Sequence, residues 1–159
     1  MTGSERTGWR DEKISNRHRD FYGQNCPMTN VDFLVVEYDR LEAVAIIDYK
    51  HCAKGVQPWE PKSDPNLRVL VKVADSLGIP CLVAIYHDED WWYRVFPLND
   101  AARRFYEDGQ DFSEVGFVQS LYAMRGRAAP VEMLVKLKLV KRQWASSTPI
   151  NRDREAMYG

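Results

Sequence analysis

An α/β fold, a mixed sheet flanked by helices with a helical C-terminal extension, is predicted by three features of the sequence. Two consecutive apolar runs joined by a short polar segment read as a β-hairpin. A stretch rich in proline leads from the second run into an amphipathic helix, and that helix feeds a third apolar run.

The elements follow in order. Residues 1–8 are small and polar and are expected to be flexible. Trp9 to about Asp20 mixes both charge signs around Ile14 and favours helix, ending before Tyr22-Gly23 and Pro27. The β-branched and aromatic runs Val31–Tyr38 and Ala43–Lys50 flank the polar turn Asp39-Arg40-Leu41-Glu42. Lys54 to Asn66, with Gly55, Pro58, Pro61 and Pro65, reads as a loop placed to act as a flap. Ser63 or Asp64 caps the next helix, whose stripe is Leu67, Leu70, Val71, Ala74 and Leu77, and Gly78 ends it.

Ile79–Tyr86 is a buried-type strand, and His87–Asp90 turns the chain into Trp91–Phe96, a second hairpin. Trp91 and Trp92 then point to opposite faces, and the acids Asp88, Glu89 and Asp90 read as a solvated turn. Asn99-Asp100 caps a helix over Ala101 to about Glu107, and Ser113-Glu114 starts another carrying Phe117, Leu121, Tyr122 and Met124. From Val131 to Trp144 apolar residues interleave with Lys136, Lys138, Lys141 and Arg142, a local charge of +3 against Glu132. Such a basic amphipathic segment suits either a solvated helix face or a phosphate backbone. One domain is expected over 9–144, with a core over 9–96 and the helical extension over 97–144, before a flexible tail at 145–159.

Composition excludes several classes. At 45% hydrophobic and 28% charged residues, the 159-residue chain is that of an ordinary globular protein. No stretch approaches the ~20 apolar residues of a membrane span, and Met-Thr-Gly-Ser-Glu-Arg lacks a signal core, so a cytoplasmic protein without membrane association is expected. Cys26, Cys52 and Cys81 show no C-x-x-C spacing and suggest neither a disulfide framework nor a zinc site. A net charge of −1 argues against indiscriminate nucleic-acid binding.

Chemistry concentrates in the first hairpin. With a three- or five-residue loop centred on Arg40, paired residue numbers sum to 80, so Asp32 faces Asp48 and Lys50 shares their face. Two facing carboxylates require a compensating cation, either Lys50 or a bound metal ion. Carboxylate oxygens are hard ligands suited to Mg²⁺ or Mn²⁺, which take one or two carboxylates and leave room for a substrate phosphate. The alternative is a solvated face on which Asp48 and Lys50 form an ion pair.

Asp32, followed sixteen residues later by Asp48-Tyr49-Lys50 at the end of a strand, resembles the signature of the PD-(D/E)XK nuclease superfamily. In that family the acidic-x-Lys triplet lies on the second strand of a hairpin, with a helix and a further strand after it. A Glu from a leading helix often joins the site, and here that position falls to Glu12. The resemblance covers roughly 9–96 and departs in two places: Val31 stands where a Pro is usual, and no strand is predicted ahead of the hairpin. It implies a restriction-endonuclease-like architecture and a metal-dependent nuclease acting on nucleic acid, DNA being expected. Asp32 and Asp48 would bind Mg²⁺ or Mn²⁺ with the backbone carbonyl of Tyr49, and Lys50 would assist the water nucleophile. Lys54, Trp59, Lys136, Lys138, Lys141 and Arg142 are the candidate nucleic-acid contacts. A non-catalytic module binding DNA or a protein partner and a junction-resolving homodimer are the alternatives.

Overall fold

A computed structural model describes residues 12–22, 29–52 and 64–147 of the chain. The chain divides into two compact units, residues 1–112 and 113–159. Among the described residues no helix is long and apolar enough to cross a membrane.

The first unit is mixed α/β, and its sheet runs β1-β2-β3-β4-β5 in both sequence and space. Helix α1 (Glu12–Arg17) passes directly into a turn of π-helix at His18–Tyr22, so the predicted leading helix begins no earlier than Glu12 among the described residues and changes its winding before it ends. Strands β1 (Phe33–Glu37) and β2 (Glu42–His51) are antiparallel. After β2, helix α2 (Pro65–Leu77) returns the chain to β3 (Cys81–His87), which lies parallel to β2. Strand β4 (Trp92–Pro97) pairs antiparallel with β3, and β5 (Gln110–Ser113) completes the sheet beyond the single-turn α3 (Asp100–Arg103).

Register in the first hairpin comes from two features acting together. The loop is a four-residue turn, Tyr38–Leu41, closed by Arg40 N–H to Glu37 O and Leu41 N–H to Tyr38 O, each at 3.3 Å. It replaces the expected three- or five-residue loop. Next to it Glu37 faces Glu42 and Val36 faces Ala43, a register whose numbers sum to 79. A β-bulge then intervenes: Val35 pairs Ala45, leaving Val44 as the extra residue, and from there through Phe33↔Ile47 the sum is 80. One inserted residue exchanges the faces of everything beyond it.

The core forms between the sheet and α2. Ile46, Cys81, Val83 and Ile85 from β2 and β3 meet Leu67, Leu70 and Ala74 from α2, joined by Cys52 and Ile79. Each fully buried aliphatic side chain contributes about 1.5–3 kcal/mol. Ala45, Ile47, Leu82, Ala84 and Val95 are buried on the opposite face, which explains why β2 and β3 read as nearly continuous apolar runs. Helix α2 starts where its sequence signals: Asp64 is the cap, its carboxylate accepting from Asn66 N–H at 2.9 Å, and Pro65 occupies the first turn. Gly78 ends it at φ 67, a left-handed conformation glycine adopts without steric cost.

Asn99 clasps this layer to the strand edge. Its Oδ1 accepts from Cys81 N–H and Ala102 N–H at 3.0 Å, and its Nδ2 donates to Ile79 O and Asp75 Oδ1 at 2.9 Å. One buried amide thus ties the end of α2, the start of β3 and the cap of α3 together.

Three further expectations differ from the structure. Trp91 belongs to the turn, where φ is 48 and its ring stacks on Tyr86 at 6.1 Å, so only Trp92 enters the strand. Helix α3 stops at Arg103 instead of reaching Glu107, and β5 follows it unpredicted, because four residues with a polar majority give no periodic signal. The strand predicted from Ile79 begins at Cys81, Ile79 and Pro80 serving as its lead-in.

The second unit holds α4 (Glu114–Met124), capped by Ser113 Oγ accepting from Gly116 N–H, and α5 (Val131–Ser147). Tyr122 on α4 lies with its hydroxyl 4.0 Å from the Met133 sulfur on α5. Helix α5 extends three residues beyond the predicted end at Trp144, into the segment expected to be tail.

Candidate metal centre

The site lies at the C-terminal end of β2, on the face turned toward α2. The pleat gives Ile46, Asp48, Lys50 and Cys52 one face, and Ile46 and Cys52 are core residues against α2. Asp48 is therefore carried into the layer between sheet and helix, where it retains 5% of its exposure. Lys50, one pleat further along, is 40% exposed in its side chain and reaches back so that Nζ lies 2.9 Å from Asp48 Oδ2. The fully solvated face considered as an alternative is excluded for Asp48 by this burial, while the ion pair it included is present.

Asp32 precedes β1 by one residue and is exposed. Extending the Phe33↔Ile47 register by one pair sets it opposite Asp48, and the two carboxylates are close enough to act on one another. Burial above all pushes the Asp48 carboxyl up from the ordinary value of 3.8; the Lys50 ammonium opposes that shift, and Asp32 adds to it. The Lys50 ammonium is in turn held above its ordinary value chiefly by its bond to Asp48. One oxygen stays unsatisfied: Asp48 Oδ1 is buried with no hydrogen-bond partner.

A buried carboxylate oxygen without a donor is costly, and two facing carboxylates compound that cost. A divalent cation between Asp32 and Asp48 would remove both penalties. No group of three or more His, Cys, Asp or Glu gathers as a ready cage among the described residues. The donor set is a carboxylate pair, which suits Mg²⁺ or Mn²⁺, ions that complete their shells with water and substrate oxygens.

Other residues singled out from sequence fall in several places. Tyr49 lies between Asp48 and Lys50 in β2, its ring on the opposite face, edge-on to Phe33 at 4.8 Å and to Tyr86 at 6.4 Å. Glu12 is exposed on α1. Lys54 and Trp59 lie outside the described residues, as does most of the predicted flap. Lys136 and Lys138 are exposed on α5 in the second unit; Lys141 and Arg142 continue that helix, with side chains outside the description. In the β3–β4 turn Asp88 pairs with His51 at 3.0 Å.

Two residues near the site escaped the sequence reading. Asp64, read only as a helix cap, acts electrostatically on Lys50. Arg94 lies on the Lys50 face through the register Lys50↔Ile85↔Arg94 and is held by Asp111, with Nε–Oδ1 2.7 Å and an Nη–Oδ2 bond of 2.9 Å. The cue for Asp64 is topological: a cap that follows a strand by a parallel crossover returns to that strand's C-terminal end. For Arg94 the cue required the β3–β4 register.

Comparison with models of known protein families finds no match, and comparisons with curated proteins and with solved structures likewise find none.

Proposed function

We propose that this protein is a divalent-metal-dependent phosphodiesterase acting on nucleic acid, built on a restriction-endonuclease-like arrangement of hairpin, crossover helix and parallel strand. The observation that carries the reading is Asp48, a buried carboxylate with one oxygen on Lys50, the other unpartnered, and a second carboxylate set opposite. Asp32 and Asp48 would hold Mg²⁺ or Mn²⁺. Such an ion supplies positive charge to a phosphodiester oxygen. Lys50, partly exposed beside the pair, orients a water molecule for in-line attack and offsets the negative charge that develops on phosphorus.

Support for the architecture is the match in element order: hairpin with the Asp48-Tyr49-Lys50 triplet on its second strand, then α2, then β3 parallel to that strand. The position of β1 at the sheet edge agrees with the absence of any predicted strand before the hairpin. DNA is the proposed substrate.

The test is cleavage of linear duplex, branched and single-stranded DNA and of RNA, with Mg²⁺, Mn²⁺ or EDTA, by the wild-type chain and Asp48→Asn. Metal-dependent cleavage that the substitution abolishes is expected. Absence of cleavage on every substrate, with the protein folded and able to bind one of them, would replace the enzyme by a binding module.

A further inference from the structure

Three carboxylates act on the Lys50 ammonium. Asp48 bonds it directly at 2.9 Å, while Asp64 and Asp32 act through space. Asp64 is brought there by topology. Because β2 and β3 are parallel, α2 runs back along the sheet and its first turn sits at the β2 end that carries Lys50. Cys52 and Leu67, which belong to the same core cluster, pin that end of the strand to that turn of the helix. Asp64 does not form a three-acid cage with Asp32 and Asp48, since none exists among the described residues. It stands off from the carboxylate pair yet within reach of the lysine.

A cation entering between Asp32 and Asp48 gains the unpartnered Oδ1 of Asp48 but meets Lys50 on Oδ2. Two cations on one buried carboxylate repel, so Lys50 must withdraw. Solvent would receive its ammonium, but a carboxylate at the same end of the strand receives it better.

We propose that Asp64 is a positioning residue that takes over the Lys50 ammonium when a divalent cation occupies Asp48. This rests on the metal-centre reading above. Lys50 is then a tethered counter-ion that swings between two carboxylates, protecting Asp48 before the metal arrives and standing beside the substrate afterwards. Asp64 raises metal affinity without touching the metal, by making Lys50 easier to displace.

Asp64→Asn isolates this role, because asparagine caps a helix as well as aspartate and can still accept from Asn66 N–H. Mn²⁺ binding to the full chain, followed by the electron paramagnetic resonance of free Mn²⁺, is measured in wild type, Asp64→Asn, Lys50→Met and the double variant. Expected are a roughly fivefold loss of affinity for Asp64→Asn and tighter binding for Lys50→Met. On the Lys50→Met background Asp64→Asn should change affinity by less than about twofold. Thermal unfolding in EDTA should be the same for wild type and Asp64→Asn. Equal losses on both backgrounds would overturn the proposal and make Asp64 a direct contributor to metal binding. No loss on the wild-type background would overturn it too. If neither wild type nor Lys50→Met binds Mn²⁺ at millimolar concentration, the metal-centre reading itself fails, a result distinct from either.

Discussion

Asp32 is brought opposite Asp48 by the β-bulge at Val44. The four-residue turn alone would set Asp32 across from Ile47, with the two carboxylates on opposite faces of the sheet. A local irregularity in β2 therefore creates the carboxylate pair, and the bulge and the site stand or fall together.

Metal should stabilise the fold through this pair. An ion that binds only the folded state at a hundred times its dissociation constant adds about 2.7 kcal/mol. Differential scanning calorimetry with millimolar Mn²⁺ should show a rise in Tm of several degrees over EDTA, and Asp48→Asn should lose it. An unchanged Tm in the wild type would favour Lys50 as the sole neutralising cation.

Without metal, Asp48 should make stability depend on pH in a particular direction. Its carboxyl titrates above 3.8 in the fold, first because it is buried, so between the two values the folded chain binds more protons than the unfolded one. Its contribution is fully present below 3.8 and is lost as pH rises through the raised value. In EDTA, urea unfolding of Asp48→Asn should therefore gain on the wild type as pH rises from acid to neutral. A difference that stays constant with pH would show that the buried acid is not under this strain.

Lys50 separates chemistry from metal binding. Its proposed action is on the attacking water and the transition state, so Lys50→Ala should lower cleavage by about a hundredfold or more. Affinity for Mn²⁺ should hold or rise, because a positive charge beside the pair is gone. Single-turnover cleavage measured at saturating Mn²⁺ checks the first, and paramagnetic titration the second.

Asn99 should prove the most sensitive polar residue of the core. Replacing it by alanine strips partners from two backbone N–H groups, one backbone carbonyl and Asp75. A loss of about 2–4 kcal/mol is expected in chemical denaturation. Asn99→Asp should be no milder, since it sets a carboxylate against Asp75 Oδ1.

Leu41 offers the opposite outcome. It is 84% exposed and held at φ 54, a conformation that costs a leucine about 1–2 kcal/mol. Leu41→Asn should stabilise the protein by about 0.5–1 kcal/mol. Because the bulge and not the turn sets the pairing at Asp32, Mn²⁺ affinity should be unaffected. Weakened metal binding would show that the turn also holds the register.

Much of the first unit was legible because its determinants are local. The α2 stripe, its Asp64 cap and Gly78 stop, and the apolar runs of β2 and β3 follow from spacing and side-chain chemistry over a few residues. The pairing sum of 80 that joins Asp32 to Asp48 could be written down from the two runs, yet it holds by a different route from the one expected. A bulge leaves no mark in a stretch such as Ala43-Val44-Ala45-Ile46, where every residue suits either register. Sequence alone determined which residues could carry chemistry and that Asp48 and Lys50 share a face, because the alternation of a strand is local geometry. Only the tertiary structure decided that Asp48 is buried with one oxygen unpartnered, that Asp64 comes within electrostatic reach of Lys50, and that Arg94 lies along the same row. Those relations depend on a parallel crossover and on packing between residues far apart in the chain, which no local pattern encodes.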